Sequence, residues 1–148
     1  MSVSMSGADL AEAIREIDAD AVTDHSDDAV WVTSSSWATV AEKLRDSESL
    51  GFEMLSLLTT VDYVDHFEVV YHLTSLSQNH RGIVKVRCGE GRISPSVPTM
   101  FNVWRGADLQ EREAYDLMGV HFDGHPNMKR LMLWEGFEGH PLRKDYLR

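Results

Sequence analysis

The stretch Phe67-Glu-Val-Val-Tyr-His-Leu-Thr74 constrains the fold more than any other part of this chain. Phe67, Val69, Tyr71 and Leu73 alternate with Glu68, Val70 and His72. A period of two puts the first set on one face of a strand and the second set on the other, so a slip of one residue would expose the whole apolar set. A lone strand is not stable, and the flanking sequence supplies neighbours. Met54–Thr60 reads as a strand before it, joined through Val61–His66 with its turn-forming aspartates. The polar segment Ser75–Arg81 leads through Gly82 into a third strand, Ile83–Arg87. Both links are shorter than a parallel crossover needs, so the three strands are expected to form antiparallel hairpins.

Helices are expected around this sheet. Leu10, Ala13, Ile14 and Ile17 fall at helical spacing behind Asp9, a candidate cap. Residues 1–7 are small and polar and are expected to fray. Asp18–Asp28 reads as an acidic loop, and Ala29–Thr33 as a short β-branched strand. Ser34–Ser36 offer caps for a helix over Trp37–Arg45. Gly89–Pro98, with two glycines and two prolines, reads as a loop. A third helix starts at Asp108, with Glu111 three residues on as in a capping box, and stops at Gly119. Helices grouped beside a small, mostly antiparallel sheet make an α+β fold. Residues 1–148 are read as a single domain whose last part, about 120–148, is an irregular C-terminal extension. That extension carries Gly124-His125-Pro126 and Gly139-His140-Pro141 around an apolar run, Leu131-Met132-Leu133-Trp134. It is too polar and too rich in Gly and Pro for core, and is expected to dock on a partner.

Charge and composition exclude several functions. The net charge is −10. Phosphate contacts need clustered Lys and Arg, so nucleic acid is a poor partner, and so is an anionic lipid surface. No stretch approaches the roughly 18 apolar residues of a membrane span. The opening Met1–Gly7 has neither a basic nor an apolar region and does not read as a signal peptide. Cys88 stands alone, which excludes an internal disulfide and an iron–sulfur cluster held by four thiolates of this chain. There is no phosphate-binding loop and no dinucleotide fingerprint.

Three constellations could carry chemistry. His121, His125 and His140, with Asp116 and Asp123 near them, could hold a metal. However, the four-residue His spacing binds metal on a helix, and Gly119, Gly124 and Pro126 interrupt one. Glu111 and Glu113 are two apart, so a helix turns them to different sides and they do not form a facing carboxylate pair. Arg112 and Asp116 are an i,i+4 pair of opposite charge. Residues 101–148 hold 8 acids and 7 bases, so pairing of Glu111, Arg112 and Glu113 with Lys129, Arg130, Arg143 or Lys144 is expected.

The run Glu111-Arg112-Glu113-x-x-Asp116-Leu117-Met118-Gly119-Val120, then Phe122-x-Gly124-His125-Pro126 and Lys129-Arg130-Leu131, resembles the signature of the complex I 30 kDa subunit family. The ending Gly139-His140-Pro141-Leu142-Arg143-Lys144-Asp145-Tyr146 is similar to that family's C-terminal block. Weaker similarity runs through Leu58–Asp62 and Val69–Leu73. Leu109 departs from the pattern, standing where many relatives have Trp. The resemblance implies a hydrophilic subunit of a proton-translocating NAD(P)H:quinone oxidoreductase, peripheral on the cytoplasmic side of the cell membrane. It implies no cofactor in this chain, with flavin, iron–sulfur clusters and quinone belonging to partner subunits. The implied partners are the large quinone-site subunit and its iron–sulfur neighbours. Carried over by position, the partner-binding residues are Glu111, Arg112, Glu113, Asp116, His125, Pro126, Arg130, His140, Pro141, Arg143, Lys144, Asp145 and Tyr146. Two other readings compete. One is the equivalent subunit of a membrane-bound energy-converting hydrogenase-type complex, and the other is a free-standing metal enzyme built on the three histidines.

Overall fold

A computed structural model describes residues 2–146. Met1, Leu147 and Arg148 lie outside it, and with them the ends of the expected frayed start and C-terminal extension. The expected α+β architecture is present, with helices beside a six-stranded sheet. The strands are β1 (Val3–Ser4), β2 (Val22–His25), β3 (Ala29–Val32), β4 (Met54–Asp62), β5 (Phe67–Ser75) and β6 (His80–Arg87), and the helices flanking β2 to β4 are α1 (Gly7–Ile17) and α2 (Ser34–Asp46). The order across the sheet is β2-β3-β6-β5-β4, with β1 beside the start of β6. The two expected hairpins are the antiparallel pairs β4–β5 and β5–β6, with Tyr71 opposite both Leu58 and Val84.

Phe67, Val69, Tyr71 and Leu73 are all fully buried, as their alternation requires. Leu10 and Ile14 of α1 and Trp37, Val40 and Leu44 of α2 cover that face in one continuous core. The Trp37 and Tyr71 rings meet at 5.0 Å with a tilt of 53°, a geometry aromatic quadrupoles favour. Cys88 is buried in the same core, and burial pushes its thiol up to about 12. It is a packing residue there rather than a thiolate.

Several local expectations differ from the structure. Residues 2–7 do not fray: Val3 and Ser4 pair in parallel with His80 and Arg81, and Gly7 opens α1. The cap of α1 is Ser6, whose Oγ accepts from Asp9 N–H at 3.1 Å, so Asp9 lies inside the helix. The supposed acidic loop contains β2, which pairs with β3 through a bulge between Val22 and Asp24. β3 runs parallel to β6, with Val30 opposite Val84. Short links reveal hairpins, but this pair is brought together by α2 and two strands in between, which no local signal reports. The supposed loop 89–98 ends in β7 (Ser96–Pro98), which pairs with β8 (His121–Asp123) in a separate two-stranded sheet.

Candidate partner-docking site

The third helix, α3, runs Ala107–Met118. Its cap is Gly106, not Asp108, and its stop is Gly119 in the left-handed region at φ 77°. A Cβ on Gly119 would lie 2.8 Å from His140 Cδ2, so the position needs glycine for conformation and for space. Ala107, Ala114 and Met118 face the core, and Leu117 packs against it. Gln110 fixes the helix to the sheet edge by accepting from Leu58 N–H at 2.7 Å.

Two acids of this helix are fully buried, and they do different things. Glu111 does not complete a capping box and does not pair with a tail cation. Its carboxylate accepts from Thr99 Oγ1 at 2.5 Å and from Met100 N–H at 2.8 Å, holding the loop before α3. Burial pushes its pKa up to about 7, with Asp108 adding to the effect and the two hydrogen bonds opposing it. Asp116, five residues on, turns to the other side of the helix. Its Oδ2 accepts from the consecutive N–H groups of Leu131, Met132 and Leu133 at 3.2, 2.7 and 2.9 Å, and its Oδ1 accepts from Arg130 at 2.8 Å. Burial alone would raise this carboxyl. The Leu133 N–H, the Arg130 guanidinium and the Met132 and Leu131 N–H groups outweigh it and hold the pKa below the usual range.

The family-motif residues tie the C-terminal segment onto α3 around this carboxylate. Arg130 also donates to the carbonyls of Asp116, Phe137 and Gly139. Arg112 makes no i,i+4 pair with Asp116. It reaches the carbonyls of Lys129 and Arg130 instead. His140 Nδ1 bonds the Asp116 carbonyl at 2.9 Å, and Leu142 N–H the Leu117 carbonyl. The His125 side chain is fully buried. Asn127 N–H donates to its Nδ1, so the ring proton is assigned to Nε2, which faces the Asp108 carbonyl at 3.3 Å and Oδ1 at 3.0 Å. Tyr146 stacks on Phe137, and a Cβ on Gly139 would lie 2.7 Å from its ring.

The last turn is anchored elsewhere, on the sheet. Asp62, itself buried, accepts from Lys144 N–H and from both terminal nitrogens of Arg92. Arg92 and Arg143 both contact Asp145, and their guanidinium carbons sit 4.7 and 4.8 Å from the Phe67 ring centre. Asp62 is thus held well below the usual carboxylate range, chiefly by the Arg92 hydrogen bonds.

Of the motif residues, Glu113, Pro126, Lys144 and Asp145 are exposed. Glu113 has no ion-pair partner among the described residues. Pro141 is half-buried beside His140. The three histidines do not converge: His125 faces Asp108, His140 faces the α3 backbone, and His121 is exposed against the Tyr115 ring. Beside exposed charges such as Glu135, Glu138 and Lys144, the segment also displays apolar side chains. Met132, Trp134 and Leu142 are 62, 70 and 57% exposed. The sequence signal for them is the run Leu131–Trp134 inside a polar tail, which the surrounding charges overshadow.

The arrangement is that of a small α+β fold whose C-terminal segment is clamped to its last helix and leaves several apolar side chains exposed. The chain belongs to the family described as "Respiratory-chain NADH dehydrogenase, 30 Kd subunit", which matches residues 30–148. It is similar to a C-type NADH-quinone oxidoreductase subunit of Rhizobium meliloti (strain 1021), at 46% identity over 106 residues, covering 70% of this chain and 57% of that protein. It is also similar to the C-type NADH-quinone oxidoreductase subunit of Roseiflexus sp. (strain RS-1), at 39% identity over 150 residues, covering 97% of this chain and 85% of that one. The chain therefore spans less than two thirds of the Rhizobium relative and most of the Roseiflexus one. Among solved structures, the trypsin-resistant fragment (1-134) of Nqo5 aligns with a TM-score of 0.61 and 28% identity, over 81% of this chain and 97% of the fragment. A chain of the membrane-bound sulfane sulfur reductase, an archaeal respiratory membrane complex, shares the fold with a TM-score of 0.74 and 22% identity, over 94% of this chain and 84% of that one.

Proposed function

We propose that this chain is a non-redox subunit of the peripheral arm of a proton-translocating NADH:quinone oxidoreductase, where it docks on the large quinone-site subunit. The observation that carries the reading is the clamped segment. Asp116 and Arg130 fix the backbone of residues 130–139, so Met132 and Trp134 are presented in a set conformation. A pre-ordered apolar display avoids the entropy loss of ordering a loop on binding. Exposed aromatic and methionine side chains are enriched at interface centres, whereas isolated proteins rarely expose them together. The subunit names of the relatives support the choice of complex. The donor set supports the absence of a resident cluster, because the chain's one thiol is buried in the core. No helix among the described residues is long and apolar enough to cross a membrane. In this reading partner subunits hold the chain at the cytoplasmic face of the cell membrane.

The test is incorporation. Trp134→Ala and Met132→Ala should each reduce recovery of the large subunit with this chain, by roughly 2 kcal/mol for the tryptophan if it is a central anchor. The melting temperature of the chain itself should not change, because both side chains are exposed. Full recovery of the complex with the doubly substituted chain would rule out this surface.

A further inference from the structure

The sheet has a second face. The helices cover the side carrying Val69, Tyr71, Val84 and Val86, whereas the alternate residues of each strand point away from that core. Along β6 these are Arg81, Ile83, Lys85 and Arg87. Opposite them on β5 stand Thr74 and His72, half-buried, and Val70 and Glu68, which are buried, and Trp31 of β3 stands beside Lys85. Leu57 and Met54 of β4 extend the face, 47 and 42% exposed. At one end the face deepens into a cavity of about 530 Å³, walled by Met5, Asp28, Leu57, His72, Arg81 and Ile83.

Charge is segregated on this face. The chain as a whole is at −10, yet three of its cations lie at alternate positions of one strand here. None of the three is in an ion pair among the described residues. Arg81 donates to Ser4 Oγ, Arg87 to the Gly89 carbonyl, and Lys85 lies 4.9 Å from the Trp31 ring centre. Two carboxylates belong to this face: Asp28 lines the cavity, and Glu68 sits directly opposite Arg87 but is committed elsewhere. Its oxygens accept from Trp31 Nε1 at 3.1 Å and meet His66 Nε2 at 3.0 Å. The cations are therefore free to meet carboxylates from outside. In this chain other guanidinium groups, those of Arg45, Arg92, Arg130 and Arg143, are each taken up by an internal aspartate.

We infer that the uncovered face of the sheet is a second docking surface, for an acidic protein segment with apolar residues interleaved among its carboxylates. Apolar side chains of that segment would fill the cavity over Leu57 and Ile83, and its carboxylates would meet Arg81, Lys85 and Arg87. A polyphosphate chain or an anionic bilayer fits less well. Ile83 lies between Arg81 and Lys85 on this face, and Leu57 lines the same cavity, an interleaving of apolar and charged groups that a chain of phosphates or a headgroup layer does not match. The surface is separate from the Met132–Trp134 display, and the inference rests on the complex-subunit reading above.

The experiment compares Lys85 in the purified complex and in the isolated chain, by amine acetylation and by zero-length carbodiimide cross-linking, both read by mass spectrometry. In the complex, Lys85 should be protected from acetylation and should couple to an Asp or Glu of another subunit. Arg81→Glu, Lys85→Glu and Arg87→Glu together should weaken retention in the complex by roughly tenfold or more, since like charges would then face each other. The same reversal at Lys43, on α2, should leave retention unchanged. Equal acetylation in both samples, protection with no link to a partner carboxylate, or links only within this chain would overturn the inference while leaving the subunit reading standing. Absence of the chain from the complex would overturn both.

Discussion

Arg130 and Asp116 meet at 2.8 Å across the joint between the last helix and the C-terminal segment, with the carboxylate wholly buried and the guanidinium nearly so. The contact is more than an ion pair. The same carboxylate gathers three successive backbone N–H groups, and the same guanidinium gathers three carbonyls. One pair thus satisfies the backbone of a segment that has no helix or sheet to do so.

Removing either partner strands the other. Asp116→Ala leaves the buried guanidinium on its three carbonyls without a counter-charge and three N–H groups without acceptors, and should destabilise the isolated chain by about 3–5 kcal/mol. Arg130→Ala should cost somewhat less, because the three N–H groups keep their acceptor. Urea denaturation of the two variants checks both the size and the order.

Glu111 gives stability a pH dependence of known sign. Its folded pKa is about 7, above the ordinary value of 4.5, so the native state binds the proton more tightly than the unfolded one. Its contribution is complete below about pH 4.5 and is lost as pH rises through 7, by on the order of 3 kcal/mol in total. Denaturation at pH 5 and pH 8 should show the native chain weaker at pH 8. Glu111→Gln, which keeps an acceptor for Met100 N–H and does not ionise, should flatten that difference. An unchanged difference in the variant would show that another group is responsible.

The opposite sign holds at the far end of the tail. Asp62 and Asp145 are both held below the ordinary carboxylate range, Asp62 by Arg92 and Asp145 by Arg143 first and then Arg92. Their support is present above the unfolded value near 4 and disappears as pH falls through the folded values. Asp62→Ala should release Lys144 and Arg92 together, and trypsin should then cleave after Arg143 and Lys144 faster than in the native chain. Cleavage at the native rate would mean that the Phe67 contacts of Arg143 suffice to hold the turn.

Gly119→Ala meets two penalties at once. A left-handed φ costs an L-residue about 1–2 kcal/mol, and the new methyl would press on His140. Thermal melts should fall, and the His140 ring resonances should shift, because the ring has to move. A melt unchanged from native would show that the helix end re-forms without the left-handed turn.

The sequence by itself determined the parts of this protein that depend on neighbours along the chain. The alternation from Phe67 to Leu73 settled a buried strand face, short polar links settled two hairpins, and Gly119 settled where the last helix stops. The motif blocks around Glu111–Val120 and Gly139–Tyr146 settled the family. The roles of Glu111 and Asp116 were decided only by the tertiary structure. Both are acids in a polar-looking helix, and acids on such a helix are ordinarily solvated. They are buried because donors far away in sequence come to meet them: Thr99 and Met100 for one, Arg130 and Leu131–Leu133 for the other. The parallel pairing of β3 with β6 has the same character, since its register depends on where α2 and the β4–β5 hairpin pack. Asp116 and Arg130, which the family motif offers as partner contacts, also bond to each other within the chain, and a carboxylate surrounded by N–H groups is more stable buried than its residue type suggests. Among the residues that face outward, beside the charges of Glu135, Glu138 and Lys144, are the apolar Met132, Trp134 and Leu142.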